Sequence, residues 1–118
     1  MKKTEPITIY YNPRCGKCRE AAAIAEALGY QPELIRYLET HPGKEELRGI
    51  LQKLGMKPHD LIRTKEALYK EKFSGLNLSD EEWLNVLVKH TILIERPIII
   101  RGNKAVVARP AEKARDIL

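Results

Sequence analysis

Asn12-Pro13 interrupts the chain directly after Ile7–Tyr11, a run of β-branched and aromatic residues, so a strand has to end there in a tight turn. The pattern then changes period. Ala21, Ile24, Ala25 and Leu28 recur at i, i+3, i+4 and i+7, one face of a helix, and Gly29 stands where a helix C-terminus is capped. Strand, short loop and helix place Cys15 at the junction. Residues 33–38 (ELIRYL) read as a second strand, and Leu47, Ile50, Leu51 and Leu54 as a second helical stripe ending at Gly55. Two βα units in succession predict a parallel strand pair.

From residue 58 to about 90 no strand pattern is convincing, and Ser79 with Glu82 forms a capping box ahead of Trp83, Leu84, Leu87 and Val88. The run IIIRGNKAVVA at 98–108 then holds two short apolar stretches around Gly102-Asn103, which predicts an antiparallel hairpin. Pro110 is expected in the first turn of a last helix with Ala111, Ala114 and Leu118 on its apolar side. The order is β-α-β-α, helices, β-β-α. It describes one α/β domain over residues 1–118, with a helical insertion at about 40–93 packed against the sheet.

Composition narrows the function. With 43% hydrophobic and 31% charged residues among 118, the chain is rich enough in apolar side chains to fold around one core. No apolar run approaches the length that spans a bilayer, and the start passes from a charged tip into the first strand, so a cytoplasmic protein without a cleaved signal is expected. The formal charge of +5 suits an anionic substrate or partner. Basic residues alternate with acidic ones in TKEAL, KEKF and EKARD, and aromatics are only 6%, which argues against nucleic-acid binding.

The two cysteines, three apart in CGKC, are too few for a disulfide scaffold and point to thiol chemistry in a reducing compartment. Only a thiolate is a good nucleophile. The expected helix N-terminus after Cys15, with Arg14, Lys17 and Arg19 around it, favours that charged form, and the same N–H groups can hold an oxyanion. Cys18 fits two readings, a buried apolar cysteine or a resolving thiol that closes a disulfide with Cys15. Zinc would need two further ligands, and His41, His59 and His90 are scattered. Walker, GxGxxG and GxSxG motifs are absent.

With NPRCGKCR at the strand-to-helix turn, YLE at 37–39, LIRT at 61–64, ERPIII at 95–100 and ARP at 108–110, the chain resembles the glutaredoxin-coupled arsenate reductases of thioredoxin-like fold, over nearly its whole length. The resemblance implies a four-stranded mixed sheet flanked by helices, a helical insertion between the second and third strands, and a cis peptide before Pro97. It makes Cys15 the nucleophile, makes Arg63, Arg96 and Arg109 the oxyanion-binding residues, and places Asn12 in the NPxC motif. Guanidinium forks suit tetrahedral oxyanions, although any one arginine taken alone reads equally as a surface ion pair. The resemblance further implies no metal and no bound cofactor, with glutathione as co-substrate and glutaredoxin or a thioredoxin-like protein as reductant.

Two positions depart from that family's pattern. Tyr11 stands where its reductases commonly carry histidine, and Cys18 where they commonly carry serine. The resulting CxxC is similar to that of the Spx-type transcription regulators, which share the fold, bind RNA polymerase and use the pair as a redox switch. The clustered arginines, with Arg109 kept in its ARP motif, favour the enzyme, in which Cys15 forms a thiol-arsenate adduct that is resolved to arsenite.

Overall fold

The computed structural model describes residues 5–118, so the charged start, residues 1–4, lies outside the described residues. The chain divides into two compact units, Met1–Thr40 with Arg96–Leu118, and His41–Glu95.

In the first unit β1 (Ile7–Tyr11) leads into α1 (Gly16–Ala27), then β2 (Glu33–Arg36), the short α2 (Tyr37–Thr40), and after the second unit β3 (Ile98–Arg101) and β4 (Lys104–Val107). The four strands form one mixed sheet, as expected, and their order is β2-β1-β3-β4. Strands β1 and β2 run parallel, while β3 is antiparallel to both β1 and β4. Period-two alternation turns Ile7, Ile9 and Tyr11 of β1 to one face, where they meet Ile99 and the buried Cys18, Ala21, Ala22 and Ala25 of α1. Alanines on that face let the helix approach the strands closely. Gly29, at φ +94, ends the helix, with Tyr30 N–H bonded back to Ala25 O at 3.1 Å. Gly102, at φ +60, occupies the two-residue turn between β3 and β4 that its sequence predicts.

Two expectations need correction. The second strand ends at Arg36 rather than Leu38, and Tyr37 and Leu38 begin α2. Arg36 pairs with Tyr11, the last residue of β1, so the ladder ends there and the strand stops before Tyr37 despite its β-forming side chain. At the other end Pro110 is not in the first helical turn. It is the extended residue before a 3₁₀ helix, Ala111–Asp116. Three residues per turn stacks Ala111 directly under Ala114, and both are buried, whereas Leu118 is only half-buried.

The second unit holds α3 (Lys44–Leu54), α4 (Ala67–Lys72) and α5 (Asp80–Lys89), with 3₁₀ turns at Pro58–Leu61 and Thr91–Leu93. Leu47, Ile50 and Leu51 of α3 and Trp83, Leu84 and Leu87 of α5 are buried. Arg48 of α3 bonds both Glu45 and Glu81, and Lys44 also meets Glu81, tying α3 to the start of α5. The Ser79–Glu82 capping box forms reciprocally, Glu82 N–H to Ser79 Oγ at 3.1 Å and Ser79 N–H to Glu82 Oε1 at 3.0 Å. Among the described residues no helix is long and apolar enough to cross a membrane.

Candidate active site

Strand register assembles the site. Ile98 pairs with Val107, so two steps further out Arg96 stands opposite Arg109. Tyr10 pairs with Ile98, so the antiparallel ladder carried two steps on sets Asn12 opposite Arg96, and Tyr11 with Arg36 sets Asn12 opposite Tyr37. Four strands thus deliver Tyr37, Asn12, Arg96 and Arg109 to one row at one end of the sheet. The peptides before Pro97 and Pro110 are both cis, the first as the resemblance implies. Arg109 Nη1 donates to Arg96 O at 3.0 Å, which fixes the two arginine segments to each other.

Cys15 reaches the same end through a fixed turn. Asn12 O accepts from Cys15 N–H at 2.9 Å, Asn12 Oδ1 accepts from Arg14 N–H at 3.0 Å, and Asn12 N–H points at Cys18 Sγ at 3.4 Å. Asn12 therefore acts on the turn with both its backbone and its side chain, shaping the loop that carries the thiol. Arg19 Nη1 closes it from the helix side on Pro13 O at 3.0 Å. Cys15 is the N-cap residue of α1, with no side-chain capping bond of its own.

The two thiols differ sharply. Burial opposes ionisation of Cys15, but the Cys18 N–H, the Arg96 guanidinium, the Cys18 thiol and the Lys17 N–H together outweigh it and bring Cys15 down to about 7. Arg109 Nη1 lies 4.0 Å from its sulfur. For Cys18, burial above all, followed by its hydrogen bond to Cys15 and the Cys15 charge, pushes the thiol up to about 12. Cys18 is fully buried, so at neutral pH it is a protonated thiol beside a neighbour that is about half ionised. The positive charge beside Cys15 comes from Arg96 and Arg109, far along the chain. Of the flanking residues, Arg14 is exposed, Arg19 is spent on Pro13 O and Lys17 pairs with Glu20, acting on the sulfur through its backbone.

Arg96 Nε is buried and lacks a hydrogen-bond partner, a donor left open for an anion. Arg63 belongs to the second unit. Its N–H bonds Leu93 O at 2.7 Å, its Nε lies 3.6 Å from Glu95 and 3.9 Å from Glu66, and its buried Nη1 is also unpartnered. Among the described residues no cluster of three or more His, Cys, Asp or Glu is arranged to hold a metal ion. Tyr37, which stood out in the sequence only as part of YLE, joins the site: it is buried and within electrostatic reach of Arg96 and both cysteines. The register of β2 against β1 is the signal that finds it.

A model of the ArsC family matches residues 10–117. The chain is 41% identical over 114 residues to an arsenate reductase of Haemophilus influenzae, covering 95% of this chain and 98% of that protein. It is 39% identical to an arsenate reductase of Neisseria meningitidis serogroup A over 95% of this chain and 97% of that one. Among solved structures, an arsenate reductase from Vibrio cholerae superposes with a TM-score of 0.93 at 40% identity, covering 98% of this chain and all of that one (100%).

Proposed function

The chain belongs to the ArsC family, and we propose that it reduces arsenate to arsenite with Cys15 as nucleophile. One observation carries this reading: a cysteine lowered to about 7 lies beside Arg96 and Arg109 at a helix N-terminus, so nucleophile and oxyanion donors share one place. The Cys15 thiolate attacks arsenic, an As–O bond breaks with loss of hydroxide, and arsenic stays pentavalent in a thiol-arsenate adduct. Arg96, with its open Nε, Arg109 and the first N–H groups of α1 hold the remaining oxygens. Arg63 enters the proposal on the family resemblance alone.

Glutathione thiolate then attacks the Cys15 sulfur. The S–As bond breaks, its electron pair goes to arsenic, and arsenite leaves as a Cys15–glutathione disulfide forms. The two thiols supply the two electrons, and a glutaredoxin-type dithiol restores Cys15. Cys18 offers a second route, in which its thiol loses its proton, attacks the Cys15 sulfur and forms a disulfide suited to a thioredoxin-like reductant.

The test is arsenite production by the pure protein with arsenate, glutathione, glutaredoxin and its reductase. Turnover should vanish in Cys15→Ser, and Cys18→Ser should tell which thiol resolves the adduct. Arg96→Lys should raise the arsenate KM by about tenfold, because the planar fork is lost. A folded wild-type protein silent with both glutaredoxin and thioredoxin systems would overturn the enzyme and favour a Cys15–Cys18 redox switch.

A further inference from the structure

We propose that Tyr37 is a positioning residue whose hydroxyl fixes the Arg96 guanidinium against Cys15, so that the arginine meets thiolate and oxyanion in one pose. The oxyanion half of this statement rests on the arsenate reductase reading. The thiolate half stands without it.

The argument begins with the sheet. Arg36 pairs with Tyr11, Tyr10 pairs with Ile98, and Ile98 pairs with Val107, so the next positions outward bring Tyr37 into the row of Asn12, Arg96 and Arg109. Arg109 holds the Arg96 carbonyl, which secures the backbone but leaves the long side chain to be placed by something else. Arginine carries many rotamers, whereas a tyrosine that is 1% exposed carries few, so an aromatic hydroxyl is a stiff post for a guanidinium. The Tyr37 hydroxyl lies within electrostatic reach of the Arg96 guanidinium, and Arg96 within reach of Cys15. Burial, despite the opposing pull of Arg96, holds the hydroxyl far above its ordinary range. A neutral hydroxyl there can accept from Arg96 without cancelling its charge. A carboxylate at this position would neutralise the arginine and repel the thiolate.

Tyr37→Phe keeps the ring and removes only the oxygen. Its effect is read from the pH profile of Cys15 alkylation by iodoacetamide and from arsenate kinetics, in the wild-type and Arg96→Ala backgrounds. Loss of the post should move the alkylation midpoint up by about half to one pH unit, so that the thiolate fraction at pH 7 falls roughly two- to fivefold. The arsenate KM should rise about threefold or more. In the Arg96→Ala background both effects of Tyr37→Phe should vanish. An unchanged midpoint in Tyr37→Phe, or an equal shift with and without Arg96, overturns the proposal. A wild-type protein that makes no arsenite overturns the reductase reading instead, while the alkylation profiles still decide the role of Tyr37.

Discussion

Cys15 and Cys18 sit one helical turn apart, yet one is half-buried at a helix cap and the other lies wholly inside. Their chemistry follows from that difference. Alkylation of the native protein should rise with pH through a midpoint near 7 and label Cys15 alone, with Cys18 reacting only after denaturation; peptide mapping by mass spectrometry checks both. Labelling of Cys18 in the folded protein would contradict its burial. The place of Cys15 at a helix N-terminus was legible from NPRCGKCR, because a turn followed by a helical stripe fixes a helix start. The source of its activation was not. The cations adjacent in sequence face solvent or other partners, and Arg96 arrives only through strand pairing, which no local pattern encodes.

Secondary elements were legible where a local device terminates them. Asn12-Pro13 after β1 and Ser79–Glu82 before α5 each form the contacts that their spacing predicts. Ser79→Ala should therefore cost about 1 kcal/mol in urea denaturation, with activity unaffected if α5 serves only the second unit's core. Misreadings arose where a partner, rather than a propensity, sets the boundary. Tyr37 has every local reason to extend β2, but β1 ends at Tyr11, opposite Arg36. Pro110 has the residue type of a helical first turn, but it keeps an extended ψ of 165° ahead of a 3₁₀ helix.

For the molecule as a whole, the excess of 21 basic over 16 acidic residues gives a net positive field. Arsenate should be drawn by that field, so its KM should rise about two- to fivefold between low and physiological salt, with kcat nearly constant. A KM indifferent to salt would leave recognition to the local donors alone. The convergence of Tyr37, Asn12, Arg96 and Arg109 was written in the sequence in principle. The Gly102-Asn103 turn fixes Arg96 opposite Arg109 once the hairpin is accepted. What the sequence withheld was the order β2-β1-β3-β4, without which the other two members of the row cannot be placed.

The absence of a capping bond from the Cys15 side chain implies a trade-off between stability and activity. A serine there would cap α1 well, so the inactive Cys15→Ser protein should be more stable than the active one, by about 1 kcal/mol at pH 6. The Cys15 thiolate opposes that deficit, because a thiol lowered to about 7 gains stability on folding once it is ionised. Because folding depresses its pKa to about 7, the contribution is full above the unfolded thiol's value and is lost as pH falls through about 7. The melting temperature of the variant relative to wild type should accordingly rise on acidification from pH 9 to pH 6, which calorimetry would record as the thermodynamic cost of keeping a thiol where a cap belongs.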